Sequence, residues 1–243
     1  MTADELPAAA SHSGTELDSR IAWAQEVYTE RKLAIYDSLV LGVFCNLIWR
    51  CPPKVMLRLY NQAVGARHLD TGPGTGYFVD RCRFPVATPD ITLLDLSINC
   101  LKMSEQRLAR YRPAVCEANL MEPLPLPKAY FDSVALNLVL HTIPGGWETK
   151  GVIFEHVAAC TRPGGVVFGS TVLARGVPMN ALTRRLMREQ HRRGNFQNQS
   201  DDVEGLRRQL EQRFDQSTLV TRGCVGLFWA TVGAKPQSTA TRS

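Results

Sequence analysis

The sequence predicts a doubly wound α/β fold with a seven-stranded sheet, in which five parallel strands precede a terminal antiparallel pair. From residue 67 onward, short apolar runs alternate with helical patterns, as in parallel sheets whose strands are joined by helices. The last two apolar runs are separated only by Gly223 and Cys224. Parallel strands need a crossover of a dozen or more residues, so this final pair must be antiparallel.

The individual elements follow from apolar runs and from residues that break helices. Strands are predicted at residues 68–71, 91–96, 114–117, 131–138, 166–173, 217–222 and 225–232. Helices are predicted after a glycine-rich turn and at residues 97–111, 147–160, 178–193 and 201–214. The fourth strand is almost continuously apolar, as expected for a central strand covered on both faces. Pro163 and Gly164 end the preceding helix because neither residue continues one.

The chain divides into four predicted parts. Residues 1–20 and 236–243 are polar tails without apolar periodicity, residues 21–65 form an N-terminal helical lid, and residues 66–235 form one ligand-binding domain. The most apolar stretch, residues 33–49, contains Asp37 and is too polar for a membrane span. No signal peptide is expected at the N-terminus.

Composition narrows the class of protein further. The seven cysteines are scattered and never spaced as C-x-x-C, which predicts neither a zinc site nor a disulfide framework. A reducing, cytoplasmic location is therefore expected. The net charge of +5 is mild, and no metal is expected in the site.

The strongest motif is the glycine-rich turn that follows the first strand. It has the form D-x-G-x-G-x-G, with Asp70, Gly72, Gly74 and Gly76 at its defined positions. Glycines allow a sharp turn and the close approach of a ligand, and the amides of the following helix favour an anionic group. A dinucleotide-binding G-x-G-x-x-G motif needs a glycine where this chain has Tyr77, so NAD is not the expected ligand.

Polar residues also follow the next three strands. Asp95 ends the second strand, where an acidic side chain accepts hydrogen bonds from both hydroxyls of a ribose. Asn119 follows the third strand, and its alternative role is to cap a loop. Asn137 and His141 lie at the carboxyl end of the fourth strand and face the expected crevice, where Asn137 is a candidate cofactor-binding residue. His141 is the candidate general base, because histidine titrates near neutral pH; the alternative is a structural histidine. The alternative for Asp70 and Asp95 is a purely structural role, as acidic residues in turns.

Together these features resemble the class I S-adenosylmethionine-dependent methyltransferases. The resemblance covers about residues 66–173 and includes the glycine motif, the acidic end of strand two, a polar residue before a Leu-Pro-rich loop, "FDSV" opening strand four and "RPGGVVFGS" leading into strand five. The segments "YDSLVLG", "WRCP" and "ARHLDTGPGTGYF" are similar to small natural-product methyltransferases of fungal and actinobacterial type.

The resemblance implies a Rossmann-like sheet that binds S-adenosylmethionine. The three glycines would line its methionine moiety, Asp70 would orient its amino group, and Asp95 would hold its ribose. The family usually has Asp where this chain has Asn119, which would accept a hydrogen bond from the adenine amino group. Asn keeps an acceptor oxygen but loses the charge.

The expected reaction is methyl transfer to a small organic molecule in secondary-metabolite biosynthesis, with oxygen as the first choice of acceptor atom. A base is needed only where the acceptor must lose a proton, and His141 would suit a hydroxyl. Tyr28, Tyr36 and Asp37 are expected in the lid over the acceptor, and residues 176–200 form the other wall.

Two other functions stay open. One is a non-catalytic S-adenosylmethionine-binding module that works through a protein partner. The other is an RNA methyltransferase that uses a basic run on one predicted helix. The run consists of Arg184, Arg185, Arg188, Arg192 and Arg193. A solvated helix face is the favoured interpretation of this run, so nucleic acid is not the expected partner.

Overall fold

In the computed structural model, which describes residues 44–233, seven strands form one sheet. The strands are β1 (Arg67–Thr71), β2 (Asp90–Asp95), β3 (Ala114–Glu117), β4 (Phe131–Asn137), β5 (Thr161–Val172), β6 (Gln216–Arg222) and β7 (Val225–Thr231). Their order across the sheet is β3-β2-β1-β4-β5-β7-β6.

Six α-helices flank the sheet in the described part of the chain. They are α1 (Pro53–Ala63), α2 (Tyr77–Arg81), α3 (Ile98–Arg107), α4 (Trp147–Cys160), α5 (Ala181–Arg192) and α6 (Val203–Arg213). Short 3-10 helices occur at Ala109–Tyr111 and Leu140–Thr142.

The pairing of the strands confirms the predicted fold. Strands β1 to β5 are mutually parallel, whereas β7 pairs antiparallel with both β5 and β6. The tight β6–β7 connection uses Gly223 at φ +56°. The strand order reverses between β1 and β4, and ligands of open α/β sheets bind outside the carboxyl ends of the strands at such a switch point.

Each face of the sheet carries its own apolar core. On one face, Met56 and Tyr60 of α1 are buried with Leu93 and Phe168 of the sheet. On the other face, helices α4 and α6 bury side chains such as Phe154 and Leu210. Because side chains alternate along a strand, the nearly continuous apolar character of β4 serves both cores.

Several element bounds differ from the prediction. The helix predicted at 97–111 ends at Arg107 and continues only as the 3-10 turn. The two later helices begin at Ala181 and Val203, where Asn180 and Asp202 accept hydrogen bonds from backbone N–H groups as N-caps. Strand β5 starts five residues early, because Thr161 already pairs with Phe131 and an irregularity in register absorbs the Pro-Gly segment.

The predicted lid is only partly described. Helix α1 falls within residues 21–65, but it packs on a face of the sheet, where Met56 and Tyr60 are buried. The apolar side of this amphipathic helix faces the sheet. Helix α1 therefore packs on the face of the sheet and does not cover its carboxyl edge. The lid residues Tyr28, Tyr36 and Asp37 lie outside the described residues. Across residues 44–233, no helix combines the length and hydropathy that a membrane crossing requires.

Candidate active site

The glycine-rich loop joins β1 to α2 at the carboxyl edge of the sheet. Gly72, Gly74 and Gly76 all have positive φ, at +64°, +56° and +75°. A Cβ on Gly72 would lie 2.7 Å from Val139 Cγ2, whereas a Cβ on Gly74 would meet no atom within 4 Å. Gly72 therefore serves close packing, and Gly74 presents bare backbone to open space, where a ligand can approach.

The Asp70 carboxylate is held by a buried network of polar side chains. The Tyr60 hydroxyl donates to Asp70 Oδ2 at 2.8 Å, and His68 Nε2 lies 3.4 Å from the same oxygen. Since a carboxylate only accepts, Nε2 is the donor, and His68 Nδ1 then accepts from the Ser133 hydroxyl at 2.8 Å. His68 thus has a structural role, and it acts directly on a predicted site residue.

Asp95 lies at the end of β2, two residues beyond Leu93, the register partner of Asp70. Its Oδ1 accepts a hydrogen bond from the Ser97 amide at 2.9 Å. Burial raises the pKa of Asp95 to about 6, and the negative charge of Asp70 contributes in the same direction. The two carboxylates are therefore neighbours, and Asp95 exchanges its proton close to neutral pH.

Asn119 lies in the loop after β3 and is half-buried. Its Oδ1 accepts from the Met121 amide at 3.0 Å, and its Nδ2 donates to Glu122 Oε1 at 3.2 Å. This is the loop-capping geometry of the alternative interpretation. An amide oxygen has a second lone pair, so contact with adenine stays a prediction.

Asn137 lies at the end of β4 and is buried. Its Oδ1 accepts from the Ser170 hydroxyl at 2.6 Å, whereas its Nδ2 has no hydrogen-bond partner among residues 44–233. Buried donors are seldom left without an acceptor. At the switch point of the sheet, this orphaned N–H is an expected contact of a bound polar ligand.

His141 lies in the 3-10 helix after β4 and is 5% exposed. The Val172 amide donates to its Nδ1 at 3.5 Å, and the Phe196 ring packs edge-on at a centroid distance of 4.4 Å. Burial lowers the pKa of His141 to about 3, with a contribution from the Lys150 ammonium. The imidazole is therefore neutral and weakly basic. A low pKa of this kind argues against the predicted role of His141 as a general base.

The segment between α5 and α6 forms an aromatic wall beside His141. The Gln197 amide donates to the His141 carbonyl at 2.8 Å, which fixes this segment against the 3-10 helix. Phe196 packs between His141 and Trp49, with a centroid distance of 5.4 Å to Trp49. The wall lies within the predicted residues 176–200, and Trp49 joins it from the N-terminal side.

A buried ion pair anchors the same wall to α4. Lys150 Nζ lies 2.7 Å from Asp201 Oδ2 and also donates to the Gln197 carbonyl at 3.2 Å. Both side chains are fully buried. Burial lowers the pKa of Lys150 and raises the pKa of Asp201, because it disfavours both charged forms. The contact between the two charges opposes these shifts.

Sequence reasoning missed the residues that orient the site from a distance. Tyr60, Ser170, Lys150 and Asp201 each contact a partner that is remote in the chain, 10 to 51 residues away. No local motif surrounds them, so only the tertiary contacts reveal them.

The basic run on α5 is partly neutralised within the helix. Glu189 pairs with Arg192 at 2.7 Å and with Arg193 at 2.5 Å, and these arginines are exposed. This arrangement is that of a solvated helix face. Among residues 44–233, no group of three or more His, Cys, Asp or Glu side chains is arranged to hold a metal ion.

Comparison with known proteins identifies the family. A family model described as "Methyltransferase domain" matches residues 46–213. Demethylluteothin O-methyltransferase of Streptomyces thioluteus is 45% identical over 217 residues, covering 88% of this chain and 94% of that protein. The physcion biosynthesis cluster O-methyltransferase of Aspergillus chevalieri is 35% identical over 212 residues, covering 83% and 95%.

Solved structures agree on the fold. The N-methyltransferase NodS of Bradyrhizobium japonicum WM9, in complex with S-adenosylhomocysteine, matches with a TM-score of 0.60 at 16% identity, covering 89% of this chain and all of that chain. This chain belongs to the methyltransferase-domain family and is a class I S-adenosylmethionine-dependent methyltransferase.

Proposed function

We propose that the protein transfers the methyl group of S-adenosylmethionine to an oxygen atom of a small organic molecule in secondary-metabolite biosynthesis. The observation that carries this proposal is the set of groups at the switch point. Asp70 in β1, Asp95 at the end of β2 and the orphaned Asn137 amide at the end of β4 belong to neighbouring parallel strands. The open backbone at Gly74 follows β1, and His141 with its aromatic wall follows β4. The names of two relatives, both O-methyltransferases, support oxygen as the acceptor atom.

The residues present fit the cofactor. Gly74 offers room for the methionine moiety, and Asp95 offers a carboxylate for the ribose hydroxyls, with its pKa near 6. Asp70, held by Tyr60 and His68, is the proposed partner of the amino group, and Asn119 of the adenine. When bound, the cofactor supplies an electrophilic methyl group on a sulfonium.

The acceptor is proposed to occupy the space bordered by His141, Phe196 and Trp49. Buried aromatic surfaces exclude water and suit an apolar, ring-shaped molecule. Tyr28, Tyr36 and Asp37 are proposed to complete this space from the N-terminal side, as residues of the predicted lid. A cytoplasmic location is also proposed, supported by seven cysteines that are all free thiols.

Calorimetry and product analysis test the proposal. The purified protein is titrated with S-adenosylhomocysteine and with NAD, and it is then incubated with labelled S-adenosylmethionine and a panel of phenols and enols. Binding of the nucleoside thioether, no binding of NAD, and an O-methylated product identified by mass are expected.

Two other outcomes would replace the proposal. Cofactor binding without turnover of any acceptor, in the panel or in a cell extract, would favour the non-catalytic module. Steeply salt-dependent binding of RNA, with label transferred to RNA, would favour the RNA methyltransferase.

A further inference from the structure

We propose that residues 1–19 of this chain occupy a basic cleft beside α5 and pair with its arginines. The charge of the cleft, the opposite charge of the segment and the place where the described chain begins all point to this contact. The contact is separate from the methyl transfer described above and does not depend on it.

The cleft lies between one face of α5 and the residues that follow β5, and its volume is about 270 Å³. Its basic lining consists of Arg175, Arg184, Arg188 and His191. The last three share one face of the helix, because they are spaced by four and three positions. Half-buried Met179 and buried Met187 add an apolar lining. The cleft therefore combines positive charge with apolar surface.

The nearest carboxylates along the chain are engaged elsewhere. Glu189 pairs with two arginines further along α5. Asp201 is buried against the Lys150 ammonium, and Asp202 accepts a hydrogen bond from the first turn of α6. Among residues 44–233, the three arginines of the cleft pair with no carboxylate. Their positive charge is therefore not compensated within the described part of the chain.

Residues 1–19 have the complementary composition. They contain neither Lys nor Arg but four acidic residues, which are Asp4, Glu5, Glu16 and Asp18. Both leucines of the segment, Leu6 and Leu17, adjoin one or two of these acids. Arginine binds a carboxylate through two parallel N–H···O bonds, and a leucine beside that carboxylate can contact the methionines of the cleft. The segment therefore matches the cleft in charge and in apolar character.

The described chain begins next to the cleft. The Thr183 hydroxyl, one residue before Arg184, donates to the Ile48 carbonyl at 3.1 Å. Residues 20–43 join the acidic segment to this region, and a chain of that length spans about 36 Å even when it is entirely helical. Helix α5 itself is only about 18 Å long. The segment can therefore reach the cleft of its own molecule.

The covalent connection makes this contact favourable. Ion pairs at exposed arginines are individually weak and are screened by salt. A short connection within one chain raises the effective concentration of a binding segment to the order of millimolar. The segment therefore competes well with free anions, and it excludes other polyanions, such as nucleic acid, from the same arginines.

Carbodiimide cross-linking of the full chain tests the contact directly. Arg188→Lys places an amine in the cleft, and the reagent joins an amine to a carboxylate only where the two groups touch. Trypsin then releases residues 1–20 as one peptide, because Arg20 is the first basic cleavage site. We expect mass spectrometry of the monomer to find this peptide joined to position 188.

Arg208→Lys is the matched control, because Arg208 is an exposed arginine on α6. The yield at position 188 should exceed the yield at position 208 by at least about fivefold. Raising the salt concentration from about 50 mM to about 500 mM should lower it at least about threefold. Equal yields at the two positions, links only between two molecules, or no link at position 188 would overturn the proposal.

Heparin chromatography tests the exclusion of other polyanions. One full-chain variant carries Asp4→Asn, Glu5→Gln, Glu16→Gln and Asp18→Asn. A control of the same net charge has amides in place of four exposed carboxylates of the described domain, those of Glu105, Glu148, Glu211 and Asp215. We expect the first variant to elute at a salt concentration about 0.1 M higher than the control, because its cleft is free to bind heparin.

The arginines of the cleft should account for that difference. Adding Arg184→Gln and Arg188→Gln to both variants should make them elute together. Elution of the two original variants at the same salt concentration would show that the segment does not cover the cleft. Neither experiment uses cofactor or acceptor, so failure of this proposal is distinguishable from failure of the proposed methyl transfer.

Discussion

At the scale of single residues, the three glycines of the loop after β1 have different structural roles. Gly72 and Gly76 have neighbours that a Cβ would crowd, while Gly74 faces open space. All three have positive φ, which costs an L-residue about 1–2 kcal/mol. The motif therefore combines two packing requirements with one position kept bare for a ligand.

Gly74→Ala should weaken binding of S-adenosylhomocysteine by at least about tenfold, since a methyl group would occupy the ligand's approach. Calorimetry measures the change. Gly164→Ala is the matched control, because Gly164 has φ +74° and the added Cβ would lie 3.8 Å from its nearest neighbour, Arg162 Nη1. Equal losses of affinity in the two variants would mean that Gly74 acts through backbone strain alone.

Asp95 should make cofactor binding depend on pH. Its pKa is about 6, so the carboxylate that accepts ribose hydroxyls is ionised above that pH and protonated below it. Affinity for S-adenosylhomocysteine should therefore fall about tenfold from pH 8 to about pH 5. Calorimetry on Asp95→Asn supplies the comparison: this variant should bind more weakly but without that pH dependence. A fall of the same size in Asp95→Asn would assign the titration to another group.

At the scale of elements, α1 is both a packing helix and a support for the site. Its apolar residues join the core on one face of the sheet, and its Tyr60 hydroxyl reaches the Asp70 carboxylate. Burial and the adjacent carboxylate raise the pKa of Tyr60 well above its ordinary value, so the hydroxyl stays a donor throughout the working pH range.

Tyr60→Phe should lower the free energy of unfolding by about 1–3 kcal/mol, because it removes a buried hydrogen bond to a charged group. Urea unfolding measures this change, and calorimetry should also show weaker cofactor binding, because Asp70 is less firmly oriented. Tyr130→Phe removes a hydroxyl bonded to Asp90 at an exposed position, and it should leave both quantities nearly unchanged. Unaltered cofactor affinity in Tyr60→Phe would limit Tyr60 to packing.

At the scale of the whole molecule, the Lys150–Asp201 pair joins α4 to the wall between α5 and α6. It is fully buried, and Asp201 Oδ1 has no hydrogen-bond partner in the described part of the chain. Removing one partner of a buried pair leaves an uncompensated charge, whereas replacing both by apolar residues is often neutral.

Lys150→Met should therefore lower the free energy of unfolding by about 3–5 kcal/mol, as measured in urea. The double variant Lys150→Met with Asp201→Leu should recover most of that loss. Arg192→Gln, which breaks an exposed pair with Glu189, should cost less than about 1 kcal/mol. A double variant no more stable than Lys150→Met would show that Asp201 is needed for its own contacts.

The alternation of apolar runs and helical patterns was enough to predict all seven strands, and the short β6–β7 connection was enough to predict the antiparallel end. These features depend on local periodicity and on the length of a connection, which a chain carries without regard to its partners. The same holds for the glycine motif and for Asp95 and Asn137, since the carboxyl ends of parallel strands meet at one edge.

The orientation and protonation of the site groups depended on contacts between remote residues. The sequence around residue 141 does not predict that the Val172 amide donates to the His141 ring. It also does not predict that Lys150 lies close enough to disfavour the charged form of that ring. Likewise, Asn119 takes a loop-capping geometry that its position after β3 left open. Residue types and their order therefore determined which groups reach the switch point of the sheet. Only the tertiary structure decided what each can do there, because burial and through-space charge set the pKa values and hydrogen-bond roles of those groups.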